Sequence, residues 1–267
     1  MSAVLRLLAM ATVVGAESAL QRCAMRSSRS TAHQDVQLVA SLQCIAGGKP
    51  GTFLEMGALD GLTQSNTYML EKCLQWTGVL IEANPQNFAK LNKSVRTATK
   101  IHAAACDYEQ GGWTNITARS SDAAWSNSGE VELVRDLHQG KEGQKFLVRW
   151  AGFNTDAETA PTVAVPCQPL RRLLSNAGFP AIDFFSLDVE GAEEKVLRTA
   201  KLANFKMIMH EVSMPLSAKD TRVMTMLANS GFKRAEALEW NKNPKMGVNQ
   251  IWVREDQMGC VGVPREF

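Results

Sequence analysis

The chemistry that this sequence suggests begins in the short stretch Phe53–Gly61. It contains Glu55, Gly57, Asp60 and Gly61, and its first residues belong to the strand-like run Thr52–Met56. Glycine lets a backbone turn sharply and approach a ligand closely, and carboxylates accept hydrogen bonds from ammonium or hydroxyl groups. The stretch has neither the three-glycine dinucleotide fingerprint nor the lysine of a phosphate-binding loop. It therefore predicts a site for a cationic, hydroxyl-rich cofactor rather than for a pyrophosphate.

Two further acids follow the next apolar runs of the chain. Glu82 ends the run Val79–Ile81, where a carboxylate is expected to accept hydrogen bonds from both hydroxyls of a ribose. Asp107 follows the run Ala103–Cys106 and is predicted to accept a hydrogen bond from an adenine amino group. Together these acids predict a site for a nucleoside.

A second group of acids follows the apolar run Ile182–Leu187. Asp188 and Glu190 are two residues apart and therefore point the same way, so both carboxylates can converge on one acceptor or one divalent ion. We predict that Asp188 is a general base that takes a proton from the acceptor, with Glu190 and Glu211 assisting. An alternative for Asp188 is that it caps the next helix. For His210, a packed position within a strand is the favoured interpretation.

The elements that must position these acids are short apolar runs that alternate with helix-compatible stretches. This alternation predicts an α/β fold with a doubly wound, mostly parallel sheet, closed by an antiparallel pair. The predicted strands are Thr52–Met56, Gly78–Ile81, Lys100–Ala105, Ile182–Leu187, Met207–Val212, Phe232–Ala237 and Asn249–Arg254. The predicted helices are Thr63–Gln75, Pro85–Val95, Gln168–Ala177, Ala192–Ala200 and Ala218–Ser230.

One stretch, residues 108–162, breaks the alternation. It is rich in polar residues and glycine, and it also contains Trp113, Trp125, Trp150 and Phe153. A loop of this length in a compact domain is usually functional or disordered. We predict a polar insertion that covers the acceptor, and an excursion without structure of its own is the alternative.

The N-terminal residues 1–32 are predicted to be a signal or targeting segment. Arg6 is followed by the uncharged, mostly apolar run Leu7–Ala16, and Val14 and Ala16 are placed as in a signal-peptidase site. Because this run is about half of the roughly 20 residues that span a bilayer, no stable transmembrane anchor is expected. We predict the lumen of the secretory pathway or secretion. The alternatives are an organelle reached through a signal plus transit segment, and an ordinary N-terminal amphipathic turn.

Composition and length indicate one globular domain, predicted over residues 33–257, with a C-terminal tail over 258–267. Hydrophobic residues make up 45% of the chain and charged residues 21%, and the net charge is only +2, so nucleic acid is not expected as a partner. The six cysteines lack zinc-site spacing, and disulfides are permitted without a pairing that spacing can reveal. Asn92 and Asn115 begin N-x-S/T sequons, which matter only in a secretory lumen.

Several of these motifs, in this order, resemble the FkbM-type methyltransferases, particularly their eukaryotic branch. They are Gly57–Gly61, Ser65–Thr67, Leu70–Lys72, Trp76–Glu82, Asn84–Pro85 and Phe184–Glu193. The resemblance implies a class I methyltransferase fold of the Rossmann-like kind, S-adenosylmethionine as methyl donor, and commonly O-methylation of a sugar or small-molecule hydroxyl. The implied cofactor-binding residues are Glu55, Gly57, Asp60 and Gly61 for the methionine portion, Glu82 for the ribose, Asp107 for the adenine, and in addition Asn66.

The sequence departs from the family pattern at two positions. Ala83 stands where a proline often follows the second-strand acid, and Ser186 stands where many members carry a lysine two residues before the Asp of their DVEG motif. The second departure leaves the class of acceptor open. The favoured prediction is a methyltransferase acting on a small-molecule or glycan hydroxyl, with a divalent cation as an optional second cofactor. The alternatives are a non-catalytic binding protein of the secretory pathway on the same fold, and a nicotinamide oxidoreductase, which the missing glycine fingerprint disfavours.

Overall fold

The computed structural model of the protein describes residues 19–117, 162–212, 216–239 and 248–262. Within these ranges the strands are β1 (Thr52–Met56), β2 (Thr77–Glu82), β3 (Thr99–His102), β4 (Ala104–Ala105), β5 (Gly112–Thr117), β6 (Thr162–Gln168), β7 (Ile182–Leu187), β8 (Phe205–Val212), β9 (Phe232–Arg234) and β10 (Val248–Arg254). The α-helices are α1 (Ala19–Ser27), α2 (Gln34–Ile45), α3 (Tyr68–Leu74), α4 (Pro85–Lys93), α5 (Leu170–Asn176), α6 (Glu193–Arg198) and α7 (Ala218–Asn229).

The main sheet has seven strands in the order β3-β2-β1-β7-β8-β10-β9. β1, β2, β3, β7 and β8 are parallel, and β10 is antiparallel to both β8 and β9. From the centre of the sheet, β1, β2 and β3 extend to one edge, and β7, β8, β10 and β9 extend to the other. The predicted doubly wound, mostly parallel sheet with a closing antiparallel pair is therefore confirmed, and it is the class I methyltransferase arrangement.

Each central strand buries side chains on both faces of the sheet, because helices cover both. Phe53 and Phe184 pack on one face with apolar residues of α2 and α3. Their neighbours Leu54 and Phe185 pack on the other face with residues of α5, α6 and α7. The near-continuous apolar character of these strands in the sequence follows from this double burial.

The structure differs from the sequence-based elements at several places. The predicted helix over Thr63–Gln75 begins only at Tyr68, because the residues before it are held by hydrogen bonds to Glu55. The predicted strand over Lys100–Ala105 divides at Ala103 into β3 and β4. β4 belongs to a small second sheet of order β4-β6-β5, which the sequence did not reveal.

The ends of the predicted insertion form part of this second sheet. β5 and β6 pair antiparallel from Gly112↔Cys167 to Thr117↔Thr162, so the chain leaves and re-enters the sheet at neighbouring positions. Residues 118–161, which include Trp125, Trp150 and Phe153, lie outside the described residues. The predicted role of the insertion in covering the acceptor stays a prediction.

The N-terminal boundary predicted at residue 32 is too late, because helix α1 is part of the domain. Ala24 is fully buried in the core, and Cys23 forms a disulfide with Cys73 at the end of α3. The buried Asp35 then accepts hydrogen bonds from the hydroxyls of Ser28 and Ser30. The targeting role of the residues before Ala19 stays a prediction, and those residues lie outside the described ranges.

All six cysteines are paired. Besides Cys23–Cys73, a disulfide joins Cys44 in α2 to Cys260 in the 3₁₀ helix Glu255–Cys260, and another joins Cys106 to Cys167 in the small sheet. The tail predicted to begin at residue 258 is therefore attached to the domain through its third residue. No helix within the described ranges is both long enough and apolar enough to span a bilayer.

Candidate active site

The candidate site lies at the carboxyl ends of β1 and β7, where the strand order of the sheet reverses. In open α/β sheets, ligands bind in the crevice formed at such a point. Glu82 ends β2, Asp188 follows β7 and Glu211 lies near the end of β8, so the structure brings these predicted residues to one edge of the sheet. The loop from Gly57 to Thr67 follows β1 at the same edge.

Gly57 allows the loops after β1 and β7 to touch. Its φ is +85°, and a Cβ atom added to it would lie 1.7 Å from the carbonyl oxygen of Asp188. The Gly57 N–H donates to Ile81 O, and the Asp188 N–H donates to Met56 O. A side chain at position 57 would therefore displace Asp188, which explains why this position needs glycine.

Asp60 shapes the loop after β1. Its carboxylate accepts hydrogen bonds from the backbone N–H groups of Leu62 and Thr63 and from the Thr63 hydroxyl, at 2.7 to 2.9 Å. Partial burial alone would raise its pKa, but these donors hold the pKa of Asp60 below its ordinary value. Asp60 thus has a clear role within the protein, and its predicted contact with the methionine portion stays a prediction.

Glu55 is also engaged by the protein itself. The buried carboxylate accepts hydrogen bonds from the hydroxyls of Ser65 and Thr67 and from the backbone N–H of Asn66, at 2.6 to 2.7 Å. These bonds fix the segment Ser65–Thr67 above the sheet. The Asn66 side-chain amide donates to the Ser186 hydroxyl at 3.0 Å, while its Oδ1 atom is buried without a partner among the described residues. Glu55 therefore positions Asn66, whose free acceptor atom suits a ligand ammonium or hydroxyl group.

Arg96 is the site residue that the sequence did not reveal. Its side chain is fully buried, and it bonds to Glu71, to the carbonyl of Gly61 and to the hydroxyls of Ser65 and Thr67 at 2.8 to 3.0 Å. It also lies 3.6 Å from Glu55. One guanidinium thus joins Gly61, in the middle of the loop that follows β1, to Ser65 and Thr67 at its end. A lone Arg in a polar stretch carries no such signal, and only the fold shows its partners.

Glu82 is buried at the end of β2. Its oxygens accept hydrogen bonds from the N–H groups of Leu59 and Asn84 at 2.8 and 2.7 Å. Burial raises the pKa of Glu82 to about 7, although these N–H groups act to lower it. The carboxylate faces the loop after β1, as a ribose-binding acid should. Asp107, by contrast, is exposed beside the disulfide-bonded Cys106, and its predicted contact with adenine stays a prediction.

Three carboxylates converge after β7 and β8. Oxygen atoms of Asp188, Glu190 and Glu211 all lie within 4.8 Å of one another. Asp188 opens to the cleft but is enclosed by protein, and this loss of hydration, followed by the charges of Glu211 and Glu190, raises its pKa well above the ordinary value. Burial and Glu211 raise the pKa of Glu190 to about 8, and burial raises that of Glu211. A carboxylate with a raised pKa suits a general base near neutral pH.

Glu193 and Lys219 hold the loop that carries Asp188 and Glu190 in place. Glu193 accepts hydrogen bonds from the N–H groups of Val189 and Gly191 and pairs with Lys219 at 3.1 Å. Lys219 in turn donates to the carbonyl oxygen of Gly191. The helix α6 has Ala192 as its N-cap, without a side-chain cap, so the structure does not support the alternative that Asp188 caps it.

His210 and Ser186 are buried polar residues next to the acids. His210 is a packed strand residue, as expected, and burial lowers its pKa, which favours the neutral imidazole. Ser186 stands where the resemblance expects a lysine, and its hydroxyl faces the amide of Asn66. The site therefore has a neutral hydrogen-bonding pair where many relatives are expected to carry a positive charge.

Comparison with known proteins identifies relatives among methyltransferases. The family model described as the methyltransferase FkbM domain matches residues 55–234. The FkbM methyltransferase from Methylobacillus flagellatus KT has 11% identity and a TM-score of 0.42, with 88% of this chain and 57% of that one covered. The O-methyltransferase from Bacillus cereus, in complex with SAH, has 12% identity and a TM-score of 0.42, with 93% and 96% covered.

A third solved structure is the magnesium protoporphyrin IX methyltransferase from Synechocystis PCC 6803 with bound SAM. It has 8% identity and a TM-score of 0.41, and the match covers 95% of this chain and 92% of that one. No curated protein matches the sequence.

Proposed function

Because the chain belongs to the FkbM family of methyltransferases, we propose that it transfers a methyl group from S-adenosylmethionine to a hydroxyl of a sugar or another small molecule. One observation carries this proposal: acidic residues suited to two different tasks lie at the same edge of the sheet. Glu82 lies on the side of β2, and the cluster of Asp188, Glu190 and Glu211 lies on the side of β7 and β8. One kind suits a ribose, and the other suits a group that loses a proton. Membership of the eukaryotic branch of the family stays a prediction.

The residues at this edge fit S-adenosylmethionine. Glu82 would accept hydrogen bonds from its ribose hydroxyls, and the unpartnered Oδ1 of Asn66 would accept one from its ammonium group. Gly57 and Gly61, both with positive φ, keep the loop after β1 close to the sheet. When bound, the cofactor supplies a methyl group that is already activated on a sulfonium. The protein therefore has to align the acceptor and remove its proton.

We assign the removal of that proton to Asp188. With S-adenosylmethionine bound, the Asp188 carboxylate would take the proton of the acceptor hydroxyl, whose oxygen would gain the methyl group as the methyl–sulfur bond breaks and S-adenosylhomocysteine is left. Loss of hydration, followed by the charges of Glu211 and Glu190, raises the pKa of Asp188 and so makes it a better base near neutral pH. A divalent cation held by the same three carboxylates is the second role that this cluster could serve, and it stays a prediction.

The proposal is tested by methyl transfer from labelled S-adenosylmethionine to a panel of glycans and small phenols, with parallel titrations of S-adenosylhomocysteine and NAD. We expect transfer to at least one hydroxyl acceptor and binding of S-adenosylhomocysteine but not of NAD. Binding without transfer to any acceptor would support a non-catalytic binding protein. Transfer only to amines or thiols would contradict the choice of a hydroxyl acceptor.

Glu82 gives cofactor binding an expected dependence on pH. Because its pKa is about 7, Glu82 is largely protonated below neutrality, and a protonated acid is a poorer acceptor for two hydroxyl groups. S-adenosylhomocysteine should therefore bind about tenfold more weakly at pH 6 than at pH 8. Isothermal titration calorimetry across this range measures the effect.

The variant Glu82→Gln separates Glu82 from the other acids of the site. It should bind S-adenosylhomocysteine about 10- to 100-fold more weakly at pH 8, since a charge-assisted hydrogen bond is lost, and its affinity should no longer change with pH. Glu194→Gln, a change in an ion pair with Arg222 at the surface, is the matched control and should bind as the parent does. Unchanged affinity in a folded Glu82→Gln protein would remove Glu82 from the cofactor site.

For the compartment, we propose the secretory pathway lumen or secretion, with an organelle reached through a further transit segment as the alternative. Three disulfides within one domain support an oxidising environment. Cleavage after Ala16, where the sequence resembles a signal-peptidase site, would spare helix α1 and Cys23. Fractionation of cells that express the full chain tests this proposal.

A further inference from the structure

The outer face of the small sheet carries an unusual pair of exposed residues. In strand β5, Trp113 is 68% exposed and Asn115 is also exposed, whereas Ile116, the residue after Asn115, is buried. Residues two apart in a strand point to the same face, so the indole ring and the Asn115 amide lie side by side on the outside of the sheet. A tryptophan this exposed offers a flat apolar surface on which another group can pack.

The neighbouring strand leaves this face open. Ala164 lies directly opposite Asn115 in β6, and Pro166 lies opposite Trp113. Ala164 is exposed, and its methyl group is too small to fill the space above the sheet. Among the strands of the described ranges, β5 is also the edge strand of its sheet, and none of them flanks Asn115 on the far side.

Asn115 begins the sequon Asn115-Ile116-Thr117, which marks acceptors of N-linked sugars in a secretory lumen. We propose that Asn115 carries an N-linked glycan and that its first sugar packs on the indole ring of Trp113. The inference rests on the proposed secretory compartment and is independent of the proposed methyl transfer. A pyranose ring has an apolar face of C–H groups, which an exposed aromatic ring can cover.

The modification is a group transfer from a lipid-linked oligosaccharide diphosphate. The Asn115 Nδ2 atom forms a bond to C1 of the first N-acetylglucosamine and loses a proton. The bond from C1 to the diphosphate oxygen breaks, and the lipid diphosphate leaves. The host's oligosaccharide-transferring enzyme supplies both the donor and the catalysis.

The second sequon, at Asn92, makes a useful comparison. Asn92 is exposed near the end of helix α4, so it is also accessible to a glycan. No exposed aromatic residue stands two positions before it, because position 90 is a lysine. On the helix, Phe88 shares a face with Asn92, but it is partly buried and stacks on His102, so it offers no free platform. Only at Asn115 do the sequon and an exposed aromatic platform coincide within the described residues. A glycan at Asn115 should therefore stabilise the protein, and one at Asn92 should not.

The test uses the full chain expressed in a eukaryotic host, with and without treatment by a peptide N-glycosidase, which releases the whole glycan including the first sugar. Peptide mapping should show sugar on Asn115, and Asn115→Gln should remove it. Enzymatic removal of the glycan should lower the Tm by about 2–4 °C, the shift that corresponds to a modest interaction in a chain of this size. In Trp113→Ala, Asn115 should still be modified, but removal of its glycan should no longer change the Tm. Asn92→Gln is the matched control and should leave the Tm difference intact.

A chain recovered with its disulfides intact and Asn115 unmodified would overturn the proposal. So would a Tm difference that persists in Trp113→Ala, since the indole would then not be the platform. Methyl transfer is measured separately on the same preparations, and its absence would contradict the proposed enzyme while leaving the glycan result standing.

Discussion

The variant Asp188→Asn should lose turnover by about 10²- to 10⁴-fold while its affinity for S-adenosylhomocysteine stays within a few-fold of the parent's. Asparagine keeps the size of aspartate but cannot take a proton from the acceptor. Asp188 lies within 4.8 Å of two other carboxylates and its pKa is raised by them and by burial, so removing its charge should not weaken the fold. Steady-state kinetics with labelled donor, together with calorimetric binding of S-adenosylhomocysteine, measure both quantities.

The matched control is Asp183→Asn on the same strand. Asp183 lies at the opposite end of β7, where it pairs with Lys206 at 2.7 Å and accepts hydrogen bonds from Thr52. The Asp183→Asn variant should have a lower free energy of unfolding than the parent, while its turnover stays near normal. If excess magnesium restores part of the activity of Asp188→Asn, the cluster holds a cation rather than acting as a base. Near-normal turnover without added metal would show that Asp188 has neither role.

The variant Arg96→Met should lower the free energy of unfolding by about 3–5 kcal/mol, which is the usual result of removing one partner from a buried ion pair. Its guanidinium is fully buried between Glu71 and Glu55 and holds the carbonyl of Gly61. Without it, two buried carboxylates would lack their counter-ion. The loss corresponds to a fall in Tm of roughly 6–20 °C, measurable by thermal or urea unfolding with the disulfides intact.

Arg222→Met provides the comparison. Arg222 pairs with Glu194 at a similar distance but is largely exposed, so the loss should be about 0–1 kcal/mol. Both variants remove a guanidinium that pairs with a glutamate, but Arg96 is buried and bonds to further loop groups, whereas Arg222 is exposed. Equal losses would mean that Arg96 does not organise the loop after β1. Where Arg96→Met remains folded, it should also bind S-adenosylhomocysteine more weakly, because Ser65–Thr67 lose part of their support.

The sequence predicts the sheet well because its signals are local. Runs such as Thr52–Met56 and Ile182–Leu187 are mostly apolar, and the structure shows strands with those bounds. The acids that follow the strands could also be found, since strand ends in a parallel sheet meet at one edge. The placement of Glu82 and Asp188 at that edge therefore needed only the pattern and the fold class.

The rest of the site depends on contacts that no local pattern encodes. Glu55 and Asp60 were assigned to a ligand, yet the structure engages both with the protein's own hydroxyl and N–H groups. Arg96 acts on partners from residue 55 to residue 71, which come together only after folding. Helix α1 was assigned to a removable segment because its composition resembles one, although a buried alanine and a disulfide attach it to the domain.

The disulfide between Cys44 and Cys260 can form only after nearly the whole chain has been synthesised. The two cysteines are 216 positions apart, so the helix Gln34–Ile45 leaves the ribosome long before its covalent partner exists. During that interval Cys44 is a reactive thiol, and Cys23 and Cys73 are within reach of it in sequence. An early non-native bond among these three would have to be reshuffled once Cys260 arrives. Production of the protein should accordingly depend on a thiol-exchange catalyst, and shortening the chain before Cys260 should leave an unpaired cysteine on the surface of an otherwise complete sheet.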